Sequence, residues 1–144
     1  MEHTQIWETG SAQETYEVGR RLGEAARAGE VYALLGDLGV GKTVFTQGFA
    51  AGLGIAEPVN SPTFTILQIY EQGRLPLYHF DVYRIGDPEE MEEIGFDEYV
   101  EAGGVCLIEW ANLIAEILPD NTRAIRISKE LARGLDYRRI EVAE

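Results

Sequence analysis

The sequence predicts an α/β fold, a mixed β-sheet flanked by helices and built as one domain over residues 1–144. Two observations carry that expectation. Short apolar runs of strand length, such as Val31–Leu35 and residues 105–108, alternate with stretches of helical periodicity. A length of 144 residues suffices for one hydrophobic core and not for two.

In chain order, Ser11-x-x-Glu14 is a capping-box pattern, and Val18, Leu22 and the Ala25/Ala26 pair follow at helical spacing. Val31–Leu35 reads as a short buried strand. Over residues 43–53, Phe45, Phe49 and Leu53 fall four apart and predict a helix with one apolar stripe, ended by Gly52 and Gly54. Residues 64–70 and 75–83 are extended runs around Glu71-Gln72-Gly73-Arg74, the pattern of an antiparallel hairpin. Pro76 there belongs at an edge or a strand start. Asp87-Pro88-x-Glu90 joins an N-cap, a first-turn proline and a capping-box glutamate, and opens an acidic helix to about Tyr99. Gly103 and Gly104 separate it from a second core strand at 105–108. Residues 111–118 read as helical up to Pro119, and 123–127 and 138–142 alternate polar with apolar residues as outer strands do.

Composition limits the function. With 45% hydrophobic and 26% charged residues, the chain has the balance of a soluble globular protein. No apolar run is long enough to span a bilayer, and Met1-Glu2-His3-Thr4-Gln5 lacks the basic start of a secretory signal. The single cysteine, Cys106, lies in an apolar run and fits a reducing cytoplasm. A net charge of −13 argues against gripping a nucleic acid directly. Between Asp87 and Asp120 there are eleven acids and no Lys or Arg, while six of the twelve basic residues crowd into 123–139. A solvated helix face explains the acids more simply than a docking surface for a basic partner.

The segment from Gly36 to Thr43 carries the chemistry. It reads Gly36-Asp37-Leu38-Gly39-Val40-Gly41-Lys42-Thr43, preceded by a strand and followed by a helix through Val44. Glycines let successive N–H groups turn inward around phosphate oxygens, and the helix start adds its positive end. Lys42 can reach the outer phosphates and the Thr43 hydroxyl can ligate Mg²⁺. The expectation is therefore a P-loop NTPase-like domain with a site for the phosphates of a nucleotide.

Such a site needs a carboxylate from a neighbouring strand to hold Mg²⁺. Glu109 ends the run Val105-Cys106-Leu107-Ile108. Asp81 sits in His79-Phe80-Asp81-Val82-Tyr83-Arg84, where alternation puts His79, Asp81 and Tyr83 on one face. An acid in an apolar strand is costly unless it is paired or binds a cation. A pairing of Asp81 with Arg84 and a purely structural His79 are the plain alternatives. Trp110 can shield a site, stack on a ligand or simply pack. Thr63, in Ser61-Pro62-Thr63, is either a γ-phosphate-sensing switch residue or part of a turn.

Absent motifs narrow the class. Lysine occurs only at 42 and 129, so an Asn-Lys-x-Asp guanine-reading motif is missing, and there is no transporter-type Leu-Ser-Gly-Gly-Gln signature. A small-metabolite kinase stays as the enzymatic rival, although the stretch where a lid would sit is acidic. A nucleotide-dependent binding module needs the same phosphate and metal ligands.

Taken together, Gly36–Thr43, Ser61-Pro62-Thr63-Phe64, His79-Phe80-Asp81-Val82-Tyr83-Arg84, Glu93-Ile94-Gly95-Phe96 and Ile108-Glu109-Trp110 closely resemble the bacterial tRNA threonylcarbamoyladenosine biosynthesis ATPase family, TsaE. The match runs from about Ser11 to the C-terminus. It implies a Mg²⁺-dependent ATPase, weak alone, that supports turnover of a separate two-subunit threonylcarbamoyl transferase modifying the adenosine beside the tRNA anticodon. Contact with tRNA would then be indirect. By motif position, Lys42 and Thr43 would serve phosphate and Mg²⁺, Asp81 and Glu109 would be metal and catalytic acids, and Thr63 would belong to a switch-like loop. Gly36 to Val44 and Trp110 would line the nucleotide, with the base near Thr9–Thr15. Val40, Val44 and Ala111 depart from the common family pattern, and none removes a functional atom.

Overall fold

A computed structural model describes residues 4–36, 40–59 and 66–143. The elements are β1 (Thr4–Thr9), α1 (Ala12–Ala25), β2 (Val31–Leu35), α2 (Lys42–Gly52), β3 (Leu67–Tyr70), β4 (Leu77–Asp81), α3 (Glu89–Glu93), α4 (Phe96–Val100), β5 (Val105–Glu109), β6 (Arg123–Ser128) and β7 (Arg138–Ala143). A 3₁₀ segment (Ala111–Ile117) follows β5, and a short 3₁₀ turn (Leu131–Arg133) precedes β7.

The seven strands form one sheet in the order β1-β7-β6-β2-β5-β4-β3. The central four, β6, β2, β5 and β4, run parallel, and β1, β7 and β3 add antiparallel neighbours. The two central strands, β2 and β5, are nearly all apolar because both faces are covered. On one face α1 and α2 pack Val18, Leu22, Phe45, Phe49 and Leu53 onto Tyr32, Leu34, Leu77 and Leu107. On the other, Met91, Phe96, Ala111 and Ile114 cover Val31, Ala33, Phe80, Cys106 and Ile108.

Ser11 caps α1 as its sequence anticipates: its Oγ accepts from the Glu14 N–H at 3.2 Å, and the Glu14 carboxylate accepts from the Gly10 N–H at 3.0 Å. The other end of α1 is closed from the β3–β4 turn, where the Arg74 guanidinium donates to the carbonyls of Gly23 and Glu24 at 2.8 and 3.1 Å. Pro76 lies just before β4, where its carbonyl accepts from Val105 N–H at 2.8 Å.

Four expectations change. The N-terminal strand β1 was not anticipated, and it takes the sheet edge beside β7. Residues 138–143 are therefore interior, paired with both β1 and β6, and residues 123–128 are interior too, paired with β2 and β7, so neither is an outer strand. The acidic helix over 87–99 is two short helices, because Gly95 turns at φ 79° between them. The first of them has Pro88, not Asp87, at its N-cap, and Asp87 Oδ1 accepts from the Glu89 N–H at 3.0 Å from just before it. Residues 111–117 wind as 3₁₀ turns with a break at Ile114 rather than as an α-helix. The carboxylates of Asp87, Glu89, Glu90, Glu92, Glu93, Asp97, Glu98 and Glu101 all belong to exposed residues, the solvated face that was expected.

Candidate nucleotide site

The chain leaves β2 for α2 and the β3–β4 hairpin, fills β5 beside β2, and then crosses to β6 on the other side of β2. This reversal opens a crevice at the carboxyl ends of β2, β5 and β6, the usual ligand position in a parallel sheet. A cavity of about 350 Å³ lies there. Leu34, Leu35 and Gly36 line it from β2 and its exit, Lys42 from α2, Trp110 and Asn112 from beyond β5, and Arg126 from β6.

Gly36 is confined by the sheet: a Cβ there would stand 2.6 Å from the Ile127 carbonyl oxygen. Gly41 enters α2 at φ 97°, a left-handed conformation that needs no side chain. Lys42 is 7% exposed, and its Nζ lies 4.5 Å from the centroid of the Trp110 ring. A lysine so buried is uncommon without a counter-charge, and among the described residues it has no ion pair. An anion in the crevice would meet that need.

Trp110 adopts φ 61°, and among the described residues no other non-glycine has positive φ. The left-handed turn at the end of β5 swings the indole toward Lys42 on one side and Tyr83, 4.8 Å between centroids, on the other. Trp110 also packs against the second core cluster, so packing and cavity lining are both realised.

The acids come from adjacent parallel strands in register, Asp81 opposite Glu109. Glu109 is 5% exposed and its Oε2 lies 2.7 Å from His79 Nε2, with His79 1% exposed. The Nδ1 of His79 is buried and finds no hydrogen-bond partner among the described residues. Asp81 Oδ1 accepts from the Tyr83 N–H at 3.0 Å, and Asp81 makes no ion pair with Arg84 among the described residues. Burial holds the Asp81 carboxyl above the usual range; the Tyr83 N–H opposes this, Glu109 adds to it, and His79 and Lys42 lower it. Tyr83 does not continue the strand face: β4 ends at Asp81 and Tyr83 is 58% exposed.

Among the described residues no group of three or more His, Cys, Asp and Glu side chains forms a ready metal cage. Two adjacent carboxylates beside a phosphate cradle are nonetheless a fitting donor set for Mg²⁺, which takes few protein ligands and completes its shell with water and phosphate oxygens.

A second cavity, of about 160 Å³, opens on the α1 side of the cradle. Val40, Gly41 and Val44 form its wall toward the phosphate loop, and Thr15, Asp136 and Arg138 face them. Thr15 is held by a 2.8 Å hydrogen bond to the Thr9 hydroxyl, and Arg138 Nε donates to the Val40 carbonyl at 2.9 Å. Thr43 stands exposed in the first turn of α2. Asp37, Leu38, Gly39 and Thr63 lie outside the described residues. Asn112 and Arg126, which sequence reasoning did not single out, line the larger cavity.

This fold and crevice define a P-loop NTPase-like protein. The sequence model of the family described as Threonylcarbamoyl adenosine biosynthesis protein TsaE matches residues 9–139. The chain is 52% identical over 123 residues to the tRNA threonylcarbamoyladenosine biosynthesis protein TsaE of Bacillus subtilis (strain 168), covering 85% of this chain and 77% of that protein. It is 47% identical over 124 residues to the protein of the same name from Treponema pallidum (strain Nichols), covering 86% and 90%. The crystal structure of Bacillus subtilis YdiB superposes with a TM-score of 0.82 at 42% identity, covering 99% of this chain and 86% of that one. The chain belongs to the TsaE family, as its motifs anticipate. No helix among the described residues is long and apolar enough to cross a membrane.

Proposed function

We propose that this chain is a Mg²⁺-dependent ATPase that acts in the cytoplasm in threonylcarbamoylation of the adenosine beside the tRNA anticodon. Its relatives carry the name of that biosynthesis. It works there as the accessory ATPase of a separate two-subunit transferase, and tRNA contact is left to that complex. The net charge of −13 supports this division. The observation that carries the enzymatic reading is the convergence of buried Lys42 and the Asp81–Glu109 pair at one end of the sheet.

The backbone of Gly36–Thr43 cradles the phosphates, and Lys42 holds the outer ones. By motif position Asp37, Leu38, Gly39, Val40 and Val44 would also serve the nucleotide, and the base takes the smaller cavity by Thr15. Thr43, Asp81 and Glu109 would hold Mg²⁺, which supplies charge neutralisation on the phosphate oxygens. Glu109, its carboxylate aimed by His79, accepts the proton of the attacking water. Trp110 covers the site, and Thr63 responds to the γ-phosphate from the connection after α2.

The test follows modified tRNA over many cycles with purified transfer subunits, ATP and either wild type or Lys42→Ala. Many turnovers with wild type and not with the variant support the proposal. If neither protein changes turnover while the subunits are active, the accessory role is wrong. Labelled γ-phosphate on a small molecule, rather than as free phosphate, would make the protein a kinase. Repeated turnover with a non-hydrolysable ATP analogue would make it a binding module.

A further inference from the structure

Arg126 stands on β6 in register with Leu35, one residue before the cradle begins. Alternation along β6 sends Ile125 and Ile127 into the core under α1 and α2 and leaves Arg126 exposed on the opposite face. Directly across on β7 is Glu141, the natural ion-pair partner at that position. Glu141 is engaged elsewhere: its Oε1 lies 2.8 Å from Arg139 Nε. Among the described residues Arg126 has no carboxylate partner, whereas Arg20, Arg123, Arg133 and Arg139 each have one. Arg126 lines the larger cavity, together with Lys42.

The cavity is the informative part. The chain carries 25 acids against 12 basic residues, yet among the described residues this cavity is lined by two cations and no carboxylate. Among the described residues it shares no lining with the smaller cavity beside Thr15: Gly36 and Lys42 belong to the larger, Val40, Gly41 and Val44 to the smaller. A phosphate chain whose inner end starts at the smaller cavity therefore points its outer end between Lys42 and Arg126. Asn112, an amide on the same wall, can donate to the same oxygens.

We propose that Arg126 is a specificity residue that binds the third phosphate of a nucleoside triphosphate and so distinguishes it from the diphosphate. This rests on the nucleotide reading of the cradle. A guanidinium presents a planar fork of donors to phosphate oxygens, and a charge-assisted pair of that kind exceeds a neutral hydrogen bond. An inner phosphate, already held by loop N–H groups, gains nothing from it.

The experiment titrates wild type, Arg126→Ala and Arg126→Lys with ADP and with a non-hydrolysable ATP analogue, in Mg²⁺, by calorimetry. Arg126 is exposed, so the variants keep the fold, which a thermal melt checks. The expected result is a loss of about tenfold or more in analogue affinity for Arg126→Ala, with ADP affinity unchanged and Arg126→Lys between. Equal loss for both nucleotides, or no loss for either, overturns the assignment while leaving the nucleotide site in place. Binding of neither nucleotide by wild type overturns the nucleotide reading itself.

Discussion

His79 and Glu109 are joined across two adjacent parallel strands, Nε2 to Oε2 at 2.7 Å, with both side chains out of solvent. The contact fixes which way the Glu109 carboxylate points, and a buried acid has few other ways to be held. Glu109→Gln keeps the shape and removes the proton acceptor, so ATP turnover should fall by about a hundredfold or more. His79→Gln can still donate to Glu109 and should keep much of the activity. His79→Ala should lower kcat about 10–100-fold, with less change in the affinity for ADP. Steady-state phosphate release alongside ADP titration checks the set. Equal losses in His79→Gln and His79→Ala would leave His79 a packing residue only.

Asp81 makes the site sensitive to pH in a definite direction. Its carboxyl is raised by burial, and by Glu109 beside it. A folded value above the unfolded one means the native state holds the proton more tightly. This group's contribution to stability is complete below the unfolded value and is lost as pH rises through the folded one. Without divalent cation, Asp81→Asn should therefore melt higher than wild type at neutral pH and show no such advantage in acid. The same substitution should abolish the effect of Mg²⁺ on ADP affinity. In wild type that effect should fade as pH drops through the raised value. Thermal melts and ADP titrations across pH, with and without Mg²⁺, read both signs.

Cys106 offers a simpler test of the second core layer. It is 1% exposed on β5, and burial pushes its thiol up to about 12. The native chain should not react with a thiol reagent at neutral pH, while the urea-unfolded chain should react fully. Rapid labelling of the native protein would mean that the layer of Met91, Phe96 and Ile114 over β5 opens readily.

What the sequence disclosed and what it hid divide along local and non-local lines. The stripe of Phe45, Phe49 and Leu53 and the Ser11 cap are local patterns, and each was legible. Alternation also put His79 and Asp81 on one face. The partner of His79 was not legible, because only the register of β4 against β5 brings it to Glu109. Arg126 appeared in the sequence as one member of a basic cluster, and only the crossing of β6 beside β2 brings it to the cavity. Strand β1 was missed because an edge strand that pairs through its backbone needs little apolar content, and Ile6 in it is 50% exposed. The two acidic helices read as one in the sequence because a single glycine, Gly95, separates them and only its φ of 79° breaks the run.

The helix that carries Lys42 is seated by glycines, and this gives a final prediction about how packing supports the site. Gly19 and Gly23 on α1 face Gly48 and Gly52 on α2, each pair one helical turn apart. A Cβ on Gly48 would stand 2.0 Å from the Tyr16 carbonyl oxygen, and one on Gly23 would stand 2.1 Å from that of Phe49. These are backbone atoms, so no side chain can rotate away. In an exposed helix, Gly→Ala stabilises by about 1 kcal/mol. Here the sign should reverse. Gly48→Ala must push α2 from α1, and a loss of about 1–3 kcal/mol in urea unfolding is expected. Because Lys42 opens the same helix, the displacement should also weaken ADP binding, even though Gly48 lies a turn and a half from the cradle. Stability unchanged or raised in Gly48→Ala would show that the helices separate easily and that their close crossing does not hold the cradle in place.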